Sequence, residues 1–168
     1  MTKEEQYAAL LPQVKALCEG ETDIIAKMAN VSALLHQEFG FWWTGFYRVT
    51  EYLSNKVTES SNHPVTQSPS HSATLTLGPF QGPIACVHIA YGRGVCGTAW
   101  KERRTVVVPD VEEFPGHIAC SSESRSEIVV PVFRDEEIIA VLDIDSRELA
   151  TFDDTDAHWL EEVVKFIP

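Results

Sequence analysis

Apolar residues recur at helical spacing along the N-terminal part of the chain. Residues 4–18 predict helix, and because proline cannot donate an interior hydrogen bond, Pro12 either divides this stretch into two short helices or begins the second. Residues 22–39 predict another helix, with Thr22 or Asp23 as its N-cap and a glycine at its end. Its apolar stripe consists of Ile24, Ile25, Met28, Val31, Leu34 and Leu35.

Two further segments have a helical pattern. Residues 94–102 follow a glycine-rich turn and predict a short helix. Residues 152–167 predict a terminal helix, because acidic capping residues precede apolar positions at helical spacing. Those apolar positions are Leu160, Val163, Val164 and Ile167.

Runs rich in β-branched and aromatic residues predict about six strands. They cover residues 41–53, 74–80, 84–90, 105–111, 127–133 and 137–145. Pro109 ends the fourth run, and a turn at residues 134–137 joins the last two as a hairpin. Helices at both ends and hairpin-joined strands indicate an α+β fold with a largely antiparallel sheet, whose strand order is not predicted.

Residues 54–73 differ from the rest of the chain. They are rich in Ser, Thr, Asn and Pro and offer almost nothing to bury, so they predict a long flexible loop. A hairpin insertion accounts for such a loop better than a domain boundary does. We therefore expect residues 1–168 to form a single domain with one loop insertion.

Composition and charge narrow the classes of function. The formal net charge is −12, and no basic stripe with interleaved aromatic residues offsets it, so nucleic-acid binding is not expected. No run approaches 18 apolar residues, and the acidic N-terminus lacks the features of a secretory signal. We expect a cytoplasmic protein that does not bind membranes. The oligomeric state, including a homodimer, is left open.

Two carboxylates close the last predicted strand. Strand alternation places Ile139, Val141, Asp143 and Asp145 on one face, and Ile138, Ala140, Leu142 and Ile144 on the other. Both faces begin apolar, which indicates a central strand covered on each side. Either the strand emerges into solvent at Asp143, or Asp143 and Asp145 hold a cation or share a proton. Glu127, at the start of the partner strand, would join such a cluster across the hairpin.

The four cysteines are Cys18, Cys86, Cys96 and Cys120, without any C-x-x-C pair. A zinc site is one interpretation, with ligands from the C-x-H pair Cys86 and His88, the H-x-x-C pair His117 and Cys120, and Cys96. Against it, alternating strand positions rarely form a compact tetrahedral corner.

Activated thiols are the second interpretation. Small loop neighbours and positive charge from Arg125 or His117 would favour a Cys120 thiolate, and the helix start at Cys96 would do the same there. The third interpretation is an inert, half-buried thiol, which is the one we adopt for Cys18.

Five segments together resemble the free methionine-(R)-sulfoxide reductases, which are small proteins of GAF fold. They are "GFYRV", "LGPFQGPIACVHIAYGRGVCGTAW", "VVVPDV", "GHIACSSESRSEIVVPV" and "VLDIDS". The resemblance covers nearly all of the chain from Phe41 onward, and three cysteines and three acidic residues fall at the spacing of that family. Residues 54–73 depart from it.

The resemblance implies a role for each cysteine. Cys120 matches the catalytic cysteine, whose thiolate attacks the sulfoxide sulfur and becomes a sulfenic acid. Cys86 matches the resolving cysteine that condenses with it into a disulfide, and Cys96 matches an auxiliary or alternative resolving cysteine. Thioredoxin would regenerate the enzyme, and no metal or organic cofactor is implied.

The resemblance also implies the substrate contacts. Glu127, Asp143 and Asp145 match an acidic cluster that donates a proton to the sulfoxide oxygen and holds the free α-ammonium. Trp43, in preference to Trp42, and Tyr47 match the aromatic walls around the substrate's methyl group. The rival interpretation is a GAF sensor module that binds a small molecule without chemistry.

Overall fold

The computed structural model describes residues 1–53, 71–117 and 122–168. These contain the four helices α1 (Lys3–Cys18), α2 (Ile24–Phe39), α3 (Gly94–Glu102) and α4 (Asp154–Val164). The six strands are β1 (Trp43–Leu53), β2 (His71–Gln81), β3 (His88–Ala90), β4 (Val106–Val108), β5 (Ser126–Arg134) and β6 (Glu137–Ser146). All of them belong to one sheet in the order β3-β2-β1-β6-β5-β4, with antiparallel neighbours. The predicted α+β fold with an antiparallel sheet is confirmed.

The sheet is covered on both faces. On one face, α1, α2 and α4 pack their apolar residues against Phe46, Ile128, Leu142 and other sheet residues. On the other face, α3 contributes Val95, Cys96 and Ala99 to a second apolar cluster. β6 lies between β1 and β5, so the prediction of a central strand covered on each side is confirmed.

The helices begin and end close to the predicted residues. Asp23 caps α2 by accepting a hydrogen bond from Ile25 N at 2.8 Å, and Gly40 ends it with φ of 67°. Asp153 caps α4 in a capping box with Asp156. The predicted break at Pro12 is wrong, because Pro12 lies inside a continuous α1. Buried residues on both sides of it anchor the helix to the core and offset the lost hydrogen bond.

Three strand predictions need correction. Residues 71–73, assigned to the loop, already pair with β1, while residues 54–70 of that loop lie outside the described residues. Residues 84–87 are not strand, and Ile84 and Ala85 instead line a pocket. Near the β5–β6 turn, a register shift skips Ile139, so Ile138 packs on the α3 face and Ile139 on the other, opposite to the predicted faces.

None of the helices in the described residues is long and apolar enough to span a membrane.

Candidate active site

A pocket that is open to solvent lies on the face of the sheet that α3 covers. It is built from β1, β5, β6, the start of α3 and the segment before β3. The lining residues are Trp42, Trp43, Tyr47, Pro83, Ile84, Ala85, Ile89, Arg93, Gly94, Val95, Cys96, His117, Ser124, Glu127, Asp143 and Asp145. Six predicted site residues, which are Trp43, Tyr47, Cys96, Glu127, Asp143 and Asp145, are therefore brought together from four separate segments of the chain.

Trp43 and Tyr47 form an aromatic wall. They lie on one face of β1, with ring centroids 5.9 Å apart and planes inclined at 25°. Trp43 donates a hydrogen bond from Nε1 to Pro83 O at 3.1 Å, and Tyr47 donates from its hydroxyl to Cys86 O at 2.9 Å. A Cβ at Gly45 would approach the Trp43 ring to 2.6 Å, so the glycine between them makes room for the indole.

The three carboxylates meet across adjacent strands. Glu127 of β5 pairs with Asp145 of β6, and Asp143 lies between Gly45 of β1 and Val129 of β5. Glu127 is 6% exposed and Asp143 is 7% exposed. The interpretation that the strand emerges into solvent at Asp143 is therefore wrong. The three acidic groups line the floor of a pocket.

Burial and mutual repulsion raise the pKa of these carboxyls. Desolvation and the neighbouring charges raise the pKa of Glu127 and of Asp143 well above their ordinary ranges. The interaction between them raises the pKa of Glu127 and opposes the rise at Asp143, which favours Glu127 as the protonated member of the pair. Burial raises the pKa of Asp145 to about 6, opposed by a hydrogen bond from the Ser124 hydroxyl.

A stability measurement tests the environment of Asp145. Its pKa rises from 3.8 in the unfolded chain to about 6, so its contribution to folding is fully present below pH 3.8 and is lost as pH rises through 6. Asp145→Asn has no ionisable carboxyl at this position, so the variant does not lose this stability as pH rises. We expect the free energy of unfolding of this variant, relative to the wild type, to increase by up to about 3 kcal/mol between pH 4 and pH 7. Urea unfolding across this range measures it, and a difference that is constant with pH would contradict the burial effect.

Cys96 faces the carboxylates from the first turn of α3. It is a free thiol, 3% exposed, and burial together with the charge of Asp143 raises its pKa. The prediction that the helix start favours its thiolate is therefore wrong, because burial and the neighbouring acidic groups both disfavour the thiolate. The thiol instead interacts with Asp143 as a donor. Gly97 brings α3 to this position, since a Cβ there would lie 2.6 Å from Ala90 O.

The remaining cysteines lie in different surroundings. Cys86 is half-buried beside Tyr47 and is disulfide-bonded. Cys18 is a free thiol in the core formed by α1, α2 and α4, where burial raises its pKa, in agreement with an inert role. Cys120 lies outside the described residues.

His88 and His117, which were considered above as zinc ligands, lie in different surroundings. His88 is exposed on β3, with Nδ1 3.2 Å from Thr76 Oγ1. His117 lines the pocket with Nε2 3.7 Å from Glu127 Oε2, and burial lowers its pKa, so it does not supply the positive charge considered for Cys120. Arg125, the other candidate, is exposed. In the described part of the chain, the residues close enough to share an ion are instead Cys96, Glu127 and Asp143.

Sequence reasoning missed a cation–π pair that involves Trp42, one of the residues lining the pocket. The guanidinium of Arg147 lies 3.3 Å from the centroid of the Trp42 ring and pairs with Glu123 at 2.7 Å. Trp42 and Trp43 both line the pocket. Position gave the only signal for Arg147, which directly follows the segment "VLDIDS". The pair ties the segment that carries Glu123 and Ser124 to the end of β6.

Residues 30–167 match the GAF domain family. Together with the antiparallel sheet and its covered pocket, this match defines the chain as a GAF-domain protein. The match to individual relatives is more specific. Free methionine-R-sulfoxide reductase of Escherichia coli (strain K12) is 42% identical over 165 residues, which are 98% of this chain and 87% of that protein. The enzyme of the same name from Saccharomyces cerevisiae is 38% identical and covers 99% of this chain and 86% of its own length.

Solved structures agree with these relatives. The X-ray structure of free methionine-R-sulfoxide reductase from Neisseria meningitidis, in complex with its substrate, superimposes with a TM-score of 0.85. It is 46% identical and covers 99% of this chain and 89% of that one. The chain belongs to the free methionine-R-sulfoxide reductase family of GAF-domain proteins.

Proposed function

We propose that this protein reduces free L-methionine-(R)-sulfoxide to L-methionine. The observation that carries the proposal is the pocket in which buried Glu127 and Asp143, with Asp145, face the aromatic wall of Trp43 and Tyr47. A sulfoxide of a free amino acid has an ammonium group, a polar S–O bond and a methyl group. The pocket offers a matching surface to each of them.

Asp143 is suited to hold the ammonium group. Its Oδ1 is buried and, among the described residues, has no hydrogen-bond partner. A buried carboxylate oxygen without a partner costs free energy that a bound cation offsets. A methionine sulfoxide within a peptide has no ammonium to place there, so the contact selects the free amino acid.

Glu127 is suited to donate the proton. Burial and the neighbouring acidic groups raise its pKa, which favours the protonated form that can act as an acid. The oxygen of the sulfoxide takes up a proton as the S–O bond breaks, and a positioned carboxylic acid supplies it. The substrate's methyl group would pack against Trp43 and Tyr47 through apolar and sulfur–aromatic contacts.

Three successive thiol reactions account for the oxygen atom and the two electrons that the reduction requires. The Cys120 thiolate attacks the sulfoxide sulfur, oxygen passes to Cys120 as a sulfenic acid, and methionine leaves. The Cys86 thiol then displaces water from the sulfenic acid and forms a disulfide. A thioredoxin-type dithiol reduces this disulfide in the cytoplasm. The disulfide-bonded state of Cys86 supports its role as resolving cysteine, and the raised pKa of buried Cys96 makes Cys96 the weaker candidate.

An assay with thioredoxin, thioredoxin reductase and NADPH tests the proposal. We expect NADPH oxidation with the free R epimer, and little with the free S epimer or with a peptide that contains methionine sulfoxide. Mass spectrometry of substrate-treated protein should show a Cys86–Cys120 disulfide. If the free R epimer binds without consuming thiols, the protein is a GAF sensor instead, and the reductase proposal fails.

A further inference from the structure

We propose that the pocket also binds a divalent cation of the zinc class through Cys96, Glu127 and Asp143, and that the bound ion excludes the substrate. The ion would act as an inhibitor and not as a cofactor, because it occupies the position proposed for the ammonium group of the substrate. The exclusion of substrate rests on the proposed function. The binding itself does not.

The donor atoms already lie near the spacing that such an ion needs. One ligand atom from each of Cys96, Glu127 and Asp143 lies within 4.8 Å of the other two, and all three residues are buried. Zn–S bonds of about 2.3 Å and Zn–O bonds of about 2.0–2.2 Å place tetrahedral ligands roughly 3.5 Å apart. A contraction of about 1 Å, within the reach of side-chain rotation, would close the site.

An independent observation points to a missing cation. Asp143 lines the pocket, is 7% exposed, and presents the buried Oδ1 that has no hydrogen-bond partner in the described residues. A divalent ion would satisfy this oxygen. It would also neutralise the repulsion among the acidic groups more completely than an ammonium group can, because it carries twice the charge.

The donor set selects the kind of ion. A cysteine sulfur with two carboxylates suits Zn²⁺, Co²⁺ or Cd²⁺, whereas Mg²⁺ and Ca²⁺ prefer oxygen ligands alone. His117 offers a fourth ligand, because its Nε2 lies 3.7 Å from Glu127 Oε2.

A Cd²⁺ titration of the disulfide form of the whole protein tests the site, because Cd²⁺–thiolate charge transfer absorbs in the ultraviolet. We expect one Cd²⁺ per chain, loss of the band in Cys96→Ser, and retention in Cys18→Ser. Glu127→Gln should weaken binding at least tenfold, with circular dichroism confirming its fold. A wild type without the band, or a band that persists in Cys96→Ser, overturns the site.

Enzyme kinetics test the consequence separately. With the reductase active, Zn²⁺ should raise KM for the free R epimer and leave kcat unchanged. Binding without any rise in KM overturns the exclusion of substrate. The titration needs no turnover, so failure of the proposed reductase activity is distinguishable from failure of the metal site.

Discussion

Replacing Cys120 with serine is expected to abolish reduction of free methionine sulfoxide, lowering kcat by at least about 10³-fold. The serine hydroxyl is not ionised near neutral pH. Unlike a cysteine thiolate, it cannot take up the sulfoxide oxygen to form a sulfenic acid. NADPH-coupled turnover measures the loss. A single-turnover experiment without reductase should yield no methionine from Cys120→Ser and about one per chain from the reduced wild type.

Two other cysteine variants serve as controls. Cys18→Ser should match the wild type, because Cys18 lies in the core on the opposite side of the sheet. Cys86→Ser should release about one methionine per chain and then stop with Cys120 as a sulfenic acid, which dimedone traps. Full turnover by Cys120→Ser contradicts the proposed nucleophile. Full turnover by Cys86→Ser combined with a stalled Cys96→Ser assigns the resolving step to Cys96.

The elements that are predictable from sequence are those whose pattern is local. Helix α3 (Gly94–Glu102) has the predicted bounds, because glycines frame its start and an apolar face follows. The β5–β6 hairpin likewise follows from two apolar runs around a polar turn. The faces of Ile138 and Ile139 were not predictable, because the register shift depends on how the two strands meet near that turn.

In the candidate site, too, features set by local sequence patterns were predictable, and features set by the packing of distant segments were not. The shared face of Asp143 and Asp145 follows from strand alternation, and the position of Glu127 opposite Asp145 follows from the hairpin. The state of Cys96 does not, because it depends on burial against carboxylates from strands distant in sequence. A helix start alone favours a thiolate, and only the assembled pocket reverses that preference.

Substitutions of Glu127 and Asp143 are expected to change different kinetic constants. Glu127→Gln is expected to lower kcat by about 10²–10³-fold with little change in KM, because the amide cannot donate the proton that breaks the S–O bond. Asp143→Asn is expected to act mainly on KM, because it loses a charge-assisted contact to the ammonium worth about 1.5–3 kcal/mol. Both side chains keep nearly their original size, so steric effects are matched. Steady-state kinetics of the two variants separate the roles.

The pH dependence of kcat distinguishes the roles of Glu127 and Asp143. A carboxyl whose pKa is raised is protonated, and thus active as an acid, below that pKa, so kcat of the wild type should fall as pH rises through it. On the acidic side, kcat should rise with pH as the Cys120 thiolate forms. In Glu127→Gln the alkaline fall should disappear and the acidic limb should remain. If the alkaline fall persists in Glu127→Gln and disappears in Asp143→Asn, Asp143 is the proton donor and the two roles exchange.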